Sequence, residues 1–231
     1  MKRFKKFLKN VILKIPNGIK VWQVTRAILL LREKSFRDLF LAINKKDICL
    51  DLGANLGYTS LVMWLKGAKF IYCLEPNIKT LEILRVNLKG IKNIHILDLA
   101  ISSKTEVQNL YLHKSVKNLS DSEKILQYSQ ASSLMSNKTN LGDCFYKVQT
   151  ITLEDLYLKL SCKPSIIKCD IEGGEYIIYK QFIEIAKNKD VKKIFVECHA
   201  NKYPQYQESH KSFINLIKEN KLNKIIDTTW H

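Results

Sequence analysis

Between Asp47 and Ser102 the chain alternates short apolar runs with helix-length segments, and this rhythm restricts the fold more than any other feature. "DICLDLG" (Asp47 to Gly53) reads as a buried strand running into a glycine loop, and Tyr58 to Lys66 as a helix closed by Gly67. "AKFIYCLEPN" (Ala68 to Asn77) gives a second strand ending in an acid. Ile78 to Leu88 gives a second helix ending near Gly90, and "NIHILDLAIS" (Asn93 to Ser102) a third strand. A β-α-β-α-β run of this kind predicts an α/β fold built on a doubly wound, mainly parallel sheet.

After Ser102 the rhythm breaks for more than sixty residues. "VQNLYLHKS", "QASSLMS" and "YKVQTITLEDL" read as short strands with polar turns, so an inserted strand-rich section is expected. "PSIIKCDIEGGE" (Pro164 to Glu175) then resumes the core as a fourth strand and loop. A helix over Tyr176 to Lys187, a fifth strand "VKKIFVECHA" (Val191 to Ala200) and a helix over Ser209 to Asn220 follow. "LNKIIDTTWH" begins a sixth strand.

The segment before Asp47 has a different character. Apolar residues at Phe4, Phe7, Leu8, Val11, Ile12 and Ile15 form a helical stripe among lysines, which Pro16-Asn17-Gly18 breaks. Two further helices are expected over Val21 to Glu33 and Phe36 to Ile43, the latter capped by Ser35. Residues 1–46 hold thirteen of the 38 basic residues against two of the 22 acids, so most of the net charge of +16 belongs there. The expected division is a basic helical extension (1–46) and a main domain (47–231).

That charge does not by itself point to nucleic acid. Only five of the basic residues are Arg, the side chain that base edges and phosphates usually enlist, and no aromatic–basic nucleic-acid motif appears. No apolar run approaches the ~20 residues needed to span a bilayer, and lysines interrupt any signal-peptide core. A soluble, cytoplasmic protein is expected. The six cysteines show no metal-finger spacing, and four of them (Cys49, Cys73, Cys169, Cys198) fall in expected strands, as reduced core thiols do.

In an α/β sheet the ligand sits beyond the carboxyl ends of the strands. There the chain places Asp51 to Gly57, Glu75-Pro76-Asn77, Asp98 to Ser102, and Asp170 to Glu175. The dinucleotide fingerprint G-x-G-x-x-G fails, because Asn55 stands where its second glycine would let backbone reach a pyrophosphate. D-x-G-x-N-x-G suits a smaller anionic tail at a helix N-terminus, and Asp51 places negative charge near a cationic cofactor. Glu75, at the end of the second strand, can accept both hydroxyls of a ribose. Together these favour S-adenosylmethionine (SAM) over NAD.

"DLGANLGYTS", "CLEPN", "LAIS", "ASSLMS", "VQTITLEDL", "IIKCDIEGGE" and "VECH" occur in the order found in the FkbM family of SAM-dependent methyltransferases, which the chain resembles over about residues 47 to 200. The resemblance implies a Rossmann-like class I methyltransferase fold. It also implies O-methylation of a hydroxyl on a sugar or glycan precursor, with many bacterial relatives tied to surface-polysaccharide (capsule or lipopolysaccharide) assembly. By resemblance and strand-end placement, Asp51, Gly53, Asn55 and Gly57 are assigned to the SAM tail, Glu75 to the ribose, and Asp98 and Ala100 to the adenine.

Asp170 at the end of the fourth strand, Glu172 just beyond it, and His199 at the end of the fifth are the candidate catalytic residues, since an alcohol nucleophile must lose its proton. A salt bridge to Lys168 or a helix cap would occupy Asp170 instead, and a structural role would occupy His199. The three could also bind a divalent metal, although no metal site is assigned from their spacing. Alternatives remain open. One is an RNA or other small-molecule acceptor. Another is a non-enzymatic binding module, its basic helix (residues 1–17) on a membrane surface, on its own domain or on a homodimer mate.

Overall fold

The computed structural model describes residues 21–135, 140–188, 190–200 and 204–230. The expected helix over Arg3 to Ile15, with its proposed membrane contact, lies outside them. Helices α1 (Val21–Leu30) and α2 (Lys34–Ala42) lead into strand β1 (Ile48–Leu52), helix α3 (Tyr58–Lys66), β2 (Phe70–Leu74), α4 (Ile78–Asn87) and β3 (Ile94–Leu97). Next come β4 (Ala100–Ile101), β5 (Val107–His113), α5 (Ser122–Gln127), β6 (Leu141–Ile151) and α6 (Leu153–Lys159). Then β7 (Ile166–Cys169), α7 (Glu175–Ala186), β8 (Lys193–Glu197), α8 (Gln207–Glu219) and β9 (Ile226–Trp230) complete the order.

Six strands form one sheet in the order β3-β2-β1-β7-β8-β9, and every neighbouring pair is parallel. Helices cover both faces, so the strands read as near-continuous apolar runs; all four residues of β7 are buried. The strand order reverses between β1 and β7, and the carboxyl ends of these two strands frame the crevice where such sheets bind ligands. This is the doubly wound arrangement expected from the sequence. The last strand, β9, runs parallel to β8 and buries Trp230 against Phe195 and Phe36, with ring centroids 5.7 and 4.9 Å apart.

Three local readings are corrected. The third strand does not run from Asn93 to Ser102: β3 stops at Leu97, and Ala100-Ile101 pair instead with Thr150-Ile151 in a second sheet, β4-β6-β5. Among the described residues of the inserted section β5 pairs antiparallel with β6 and Tyr111 bridges Ser133, but "QASSLMS" begins as a 3-10 turn and "LEDL" is helical. Thr152 starts that helix by accepting the Asp155 amide at 3.0 Å. Ser35 does not cap α2: its first turn begins after Glu33, with no side-chain cap.

The boundary drawn at residue 46 is also moved. Val24, Ala27, Ile28, Leu39 and Ile43 are buried in the same cluster as Leu61, Met63, Ile71 and Leu81, so α1 and α2 are part of the main core. Among the described residues no helix is long and apolar enough to cross a membrane. All six cysteines are free. Cys49, Cys73 and Cys169 are buried in strands, whereas Cys198 lies just past β8 and is half-buried.

Candidate functional site

A cavity of about 350 Å³ opens at the carboxyl ends of β1, β2 and β7. Its floor is the loop after β1. Gly53 (φ +73°) turns the chain so tightly against the loop after β7 that a Cβ there would fall 1.9 Å from the Asp170 carbonyl oxygen. Only glycine fits that approach. The amide of Asn55 then donates to Glu75 Oε2 and the amide of Asn77 to Oε1, both at 2.9 Å. Burial pushes the Glu75 carboxyl up to about 7, although the two amides pull against it. Asn77 in turn caps α4 by accepting from Lys79 and Thr80.

Gly53, Asn55, Glu75 and Ala100 all line the cavity. Three other residues assigned to the cofactor do not. Asp51 is fully buried beneath the loop, where Ser60 Oγ donates to it at 2.6 Å and Lys168 Nζ stands 3.2 Å away; its charge is used inside the protein. Gly57 (φ +86°) begins α3, and a Cβ there would meet Leu84 at 2.7 Å, so the position serves packing. Asp98 is exposed, and its neighbour Leu99 lines the cavity in its place.

The opposite wall is acidic. Asp170, Glu172 and Glu197 line it, and His199 lies behind them, 2% exposed. Lys168 is held between Asp51 and Asp170 Oδ2 (3.2 and 3.8 Å) and donates to the Gly53 carbonyl at 3.0 Å. Burial alone would lower the Lys168 pKa, but the two aspartates outweigh it and keep the ammonium charged. Asp170 pairs with Lys168, as the structural alternative expects, and it also lines the cavity.

His199 Nδ1 lies 2.7 Å from Glu175 Oε1, which also accepts the His199 amide at 3.2 Å. Glu175 is fully buried, and its other oxygen accepts the Gly173 amide at 2.8 Å. The far nitrogen, Nε2, stands 3.6 Å from Glu197, 3.8 Å from Glu172 and 3.9 Å from Asp170. Burial lowers the imidazole pKa, and the surrounding carboxylates, led by Glu175, more than restore it. The three candidate catalytic residues are thus brought together.

Several contributors were not found from sequence. Arg26, Leu30 and Phe36 line the cavity from α1 and α2, and the Arg26 guanidinium lies 4.7 Å from the Tyr58 ring centroid. The inserted section closes another side. Ser129 Oγ donates to Asn55 Oδ1 (3.4 Å), Asn77 Nδ2 to Ser132 Oγ (3.3 Å), and Ser133 Oγ to the Glu172 carbonyl (2.9 Å). "ASSLMS" carried that signal, but only as a motif without a place. Glu175 was passed over because its partner lies 24 residues away.

A parallel sheet with a crowded glycine loop after its first strand and a carboxylate at the end of its second defines a Rossmann-like site for an adenosyl cofactor. The residues fit that group: Gly53 and Asn55 line the cavity from the loop after β1, Glu75 lines it from the end of β2, and Leu99 and Ala100 supply an apolar wall. The methyltransferase FkbM domain model matches residues 51–223, and the chain belongs to that family. It is a SAM-dependent methyltransferase.

No curated protein matches the chain. Among solved structures it is similar to precorrin-6y C5,15-methyltransferase from Geobacter metallireducens, at 13% identity over 80% of this chain and 69% of that one, with a TM-score of 0.39. It is also similar to M. jannaschii TYW2 in complex with AdoMet (11% identity, 50% of this chain, 74% of that chain, TM-score 0.26). Arabidopsis thaliana protein arginine methyltransferase 10 shares 20% identity over 37% of this chain and 30% of its own, with a TM-score of 0.24.

Proposed function

We propose that the enzyme methylates a hydroxyl of a sugar or glycan precursor, in bacterial surface-polysaccharide assembly. The observation that carries this reading is the wall formed by Asp170, Glu172 and Glu197 in front of His199. Carboxylates accept hydrogen bonds from the hydroxyls of a polyol and repel a phosphodiester backbone, which favours a sugar over RNA as acceptor.

SAM, when bound, supplies an electrophilic methyl group on a sulfonium. The protein's part is alignment and proton removal. The Asn55 loop and Glu75 hold the cofactor's adenosyl and ribose portions at one end of the cavity. The acidic wall orients the acceptor hydroxyl at the other and takes its proton as the new carbon–oxygen bond forms. The basic segment 1–17 would bring the domain to the inner face of the membrane, where lipid-linked precursors lie; loss of anionic-liposome co-sedimentation on removing it checks that location.

The test is a product screen with isotope-labelled SAM, offering free, nucleotide-activated and lipid-linked sugars beside RNA. Label in a sugar methyl ether, located by mass spectrometry, is the expected result. Label confined to RNA, or to a nitrogen or carbon acceptor, would overturn the reading.

A further inference from the structure

We propose that Asp170, Glu172 and His199 form a divalent-cation site, of the Mg²⁺ or Mn²⁺ kind, at the acceptor end of the cavity. One ligand atom from each lies within 4.8 Å of the other two. Ligands set about 2.1 Å from a common octahedral ion stand roughly 3 to 4.2 Å apart. The His199 Nε2 separations of 3.9 Å to Asp170 and 3.8 Å to Glu172 fall inside that span.

A second observation singles out this cluster from ordinary acidic groups. His199 Nε2 is buried and has no hydrogen-bond partner among the described residues. It is aimed at carboxylate oxygens at distances too long for hydrogen bonds. Glu175, buried and anchored by two backbone amides, sits on the other ring nitrogen. A carboxylate there fixes Nδ1 as the protonated nitrogen and presents the Nε2 lone pair outward, as the outer partner of a metal-bound histidine does. A lone pair facing three carboxylates repels them; a proton on Nε2 relieves that conflict, and a divalent cation takes the proton's place.

The surroundings hold the ligands in place. Glu172 sits at φ +52°, a conformation that costs free energy, and the Ser133 hydroxyl secures its carbonyl. Two carboxylates and one imidazole suit a hard divalent ion. Three protein ligands leave about three positions of an octahedron for water or acceptor oxygens. A hydroxyl bound there loses its proton more readily, and Glu197, 3.6 Å from Nε2, stands beside it to take that proton. The oxygen's electron pair then forms the bond to the methyl carbon as the carbon–sulfur bond breaks. This rests on the hydroxyl-acceptor reading for its role, but not for its existence.

The experiment is Mn²⁺ binding to the full chain stripped with EDTA, followed by the electron paramagnetic resonance signal of free Mn²⁺. One bound ion per chain is expected, with at least tenfold weaker binding in Asp170→Asn and His199→Gln. Should His199→Gln fail to fold by circular dichroism, Glu172→Gln at its partly exposed position takes its place. Glu184→Gln, on the exposed face of α7, should bind as wild type does. A wild-type protein that leaves the Mn²⁺ signal at its buffer value would overturn the site, as would cluster variants that bind normally. Sugar methylation undiminished in EDTA would overturn the ion's role in catalysis while leaving the proposed function intact. Mn²⁺ binding without any sugar product would leave the site and remove the acceptor reading.

Discussion

The amide of Asn55 donates to the carboxylate of Glu75 at 2.9 Å, joining the loop after β1 to the end of β2. This contact makes the loop after β1 and the end of β2 one unit, and it places a titrating group inside it. Burial holds the Glu75 carboxyl at about 7 against the pull of the Asn77 and Asn55 amides. A ribose donates its hydroxyls to the ionised form, so SAM affinity should fall as pH drops below about 7, by up to about tenfold per unit. Isothermal titration near pH 7 should show proton release on binding, and Glu75→Gln should bind weakly with no such dependence between pH 6 and 8. A wild-type affinity that is flat over that range would sink the assignment. The sign for folding is opposite. A carboxyl whose folded pKa is raised favours the folded state at low pH, and that contribution is lost as pH rises through about 7.

Lys168 and Asp51 are both buried, so neither tolerates loss of the other. Lys168→Met leaves the Asp51 carboxylate without its cation and should cost about 3–5 kcal/mol in urea unfolding. Adding Asp51→Asn should recover a large part of that loss in a double-mutant cycle. A single variant within 1 kcal/mol of wild type would show that the pair is not charged.

Leu39 tests whether the helices before β1 belong to the domain. It is fully buried among core residues, while Leu41 on the same helix is 69% exposed. Leu39→Ala should cost about 2–5 kcal/mol, and Leu41→Ala less than about 0.5 kcal/mol. Equal small effects from both would mean that α2 is an appendage after all.

The elements legible in the sequence are those with local signals. α3 begins and ends where Gly57 and Gly67 stand, and β1, β2 and β7 follow apolar runs that a buried parallel sheet requires. The end of β3 was not legible, because alternation in "NIHILDLAIS" continues unbroken while the partner strand changes. Around the cavity, the positions of Glu75, Asp170 and His199 were legible because strand ends locate them. The burial of Asp51 beneath the loop, the Glu175–His199 pair and the cavity wall from Arg26 could not. Each depends on residues that meet only once the chain has folded.

The approach of Gly53 to the Asp170 carbonyl has a consequence for how the two substrates communicate. With no side chain between them, and with Lys168 bonded to the Gly53 carbonyl and paired with Asp170, the loops after β1 and β7 share one rigid boundary. Neither loop can shift without moving the other. On the proposed placement, cofactor and acceptor lie on opposite sides of this common partition, and whatever factor one changes the other's affinity by is returned in the reverse direction.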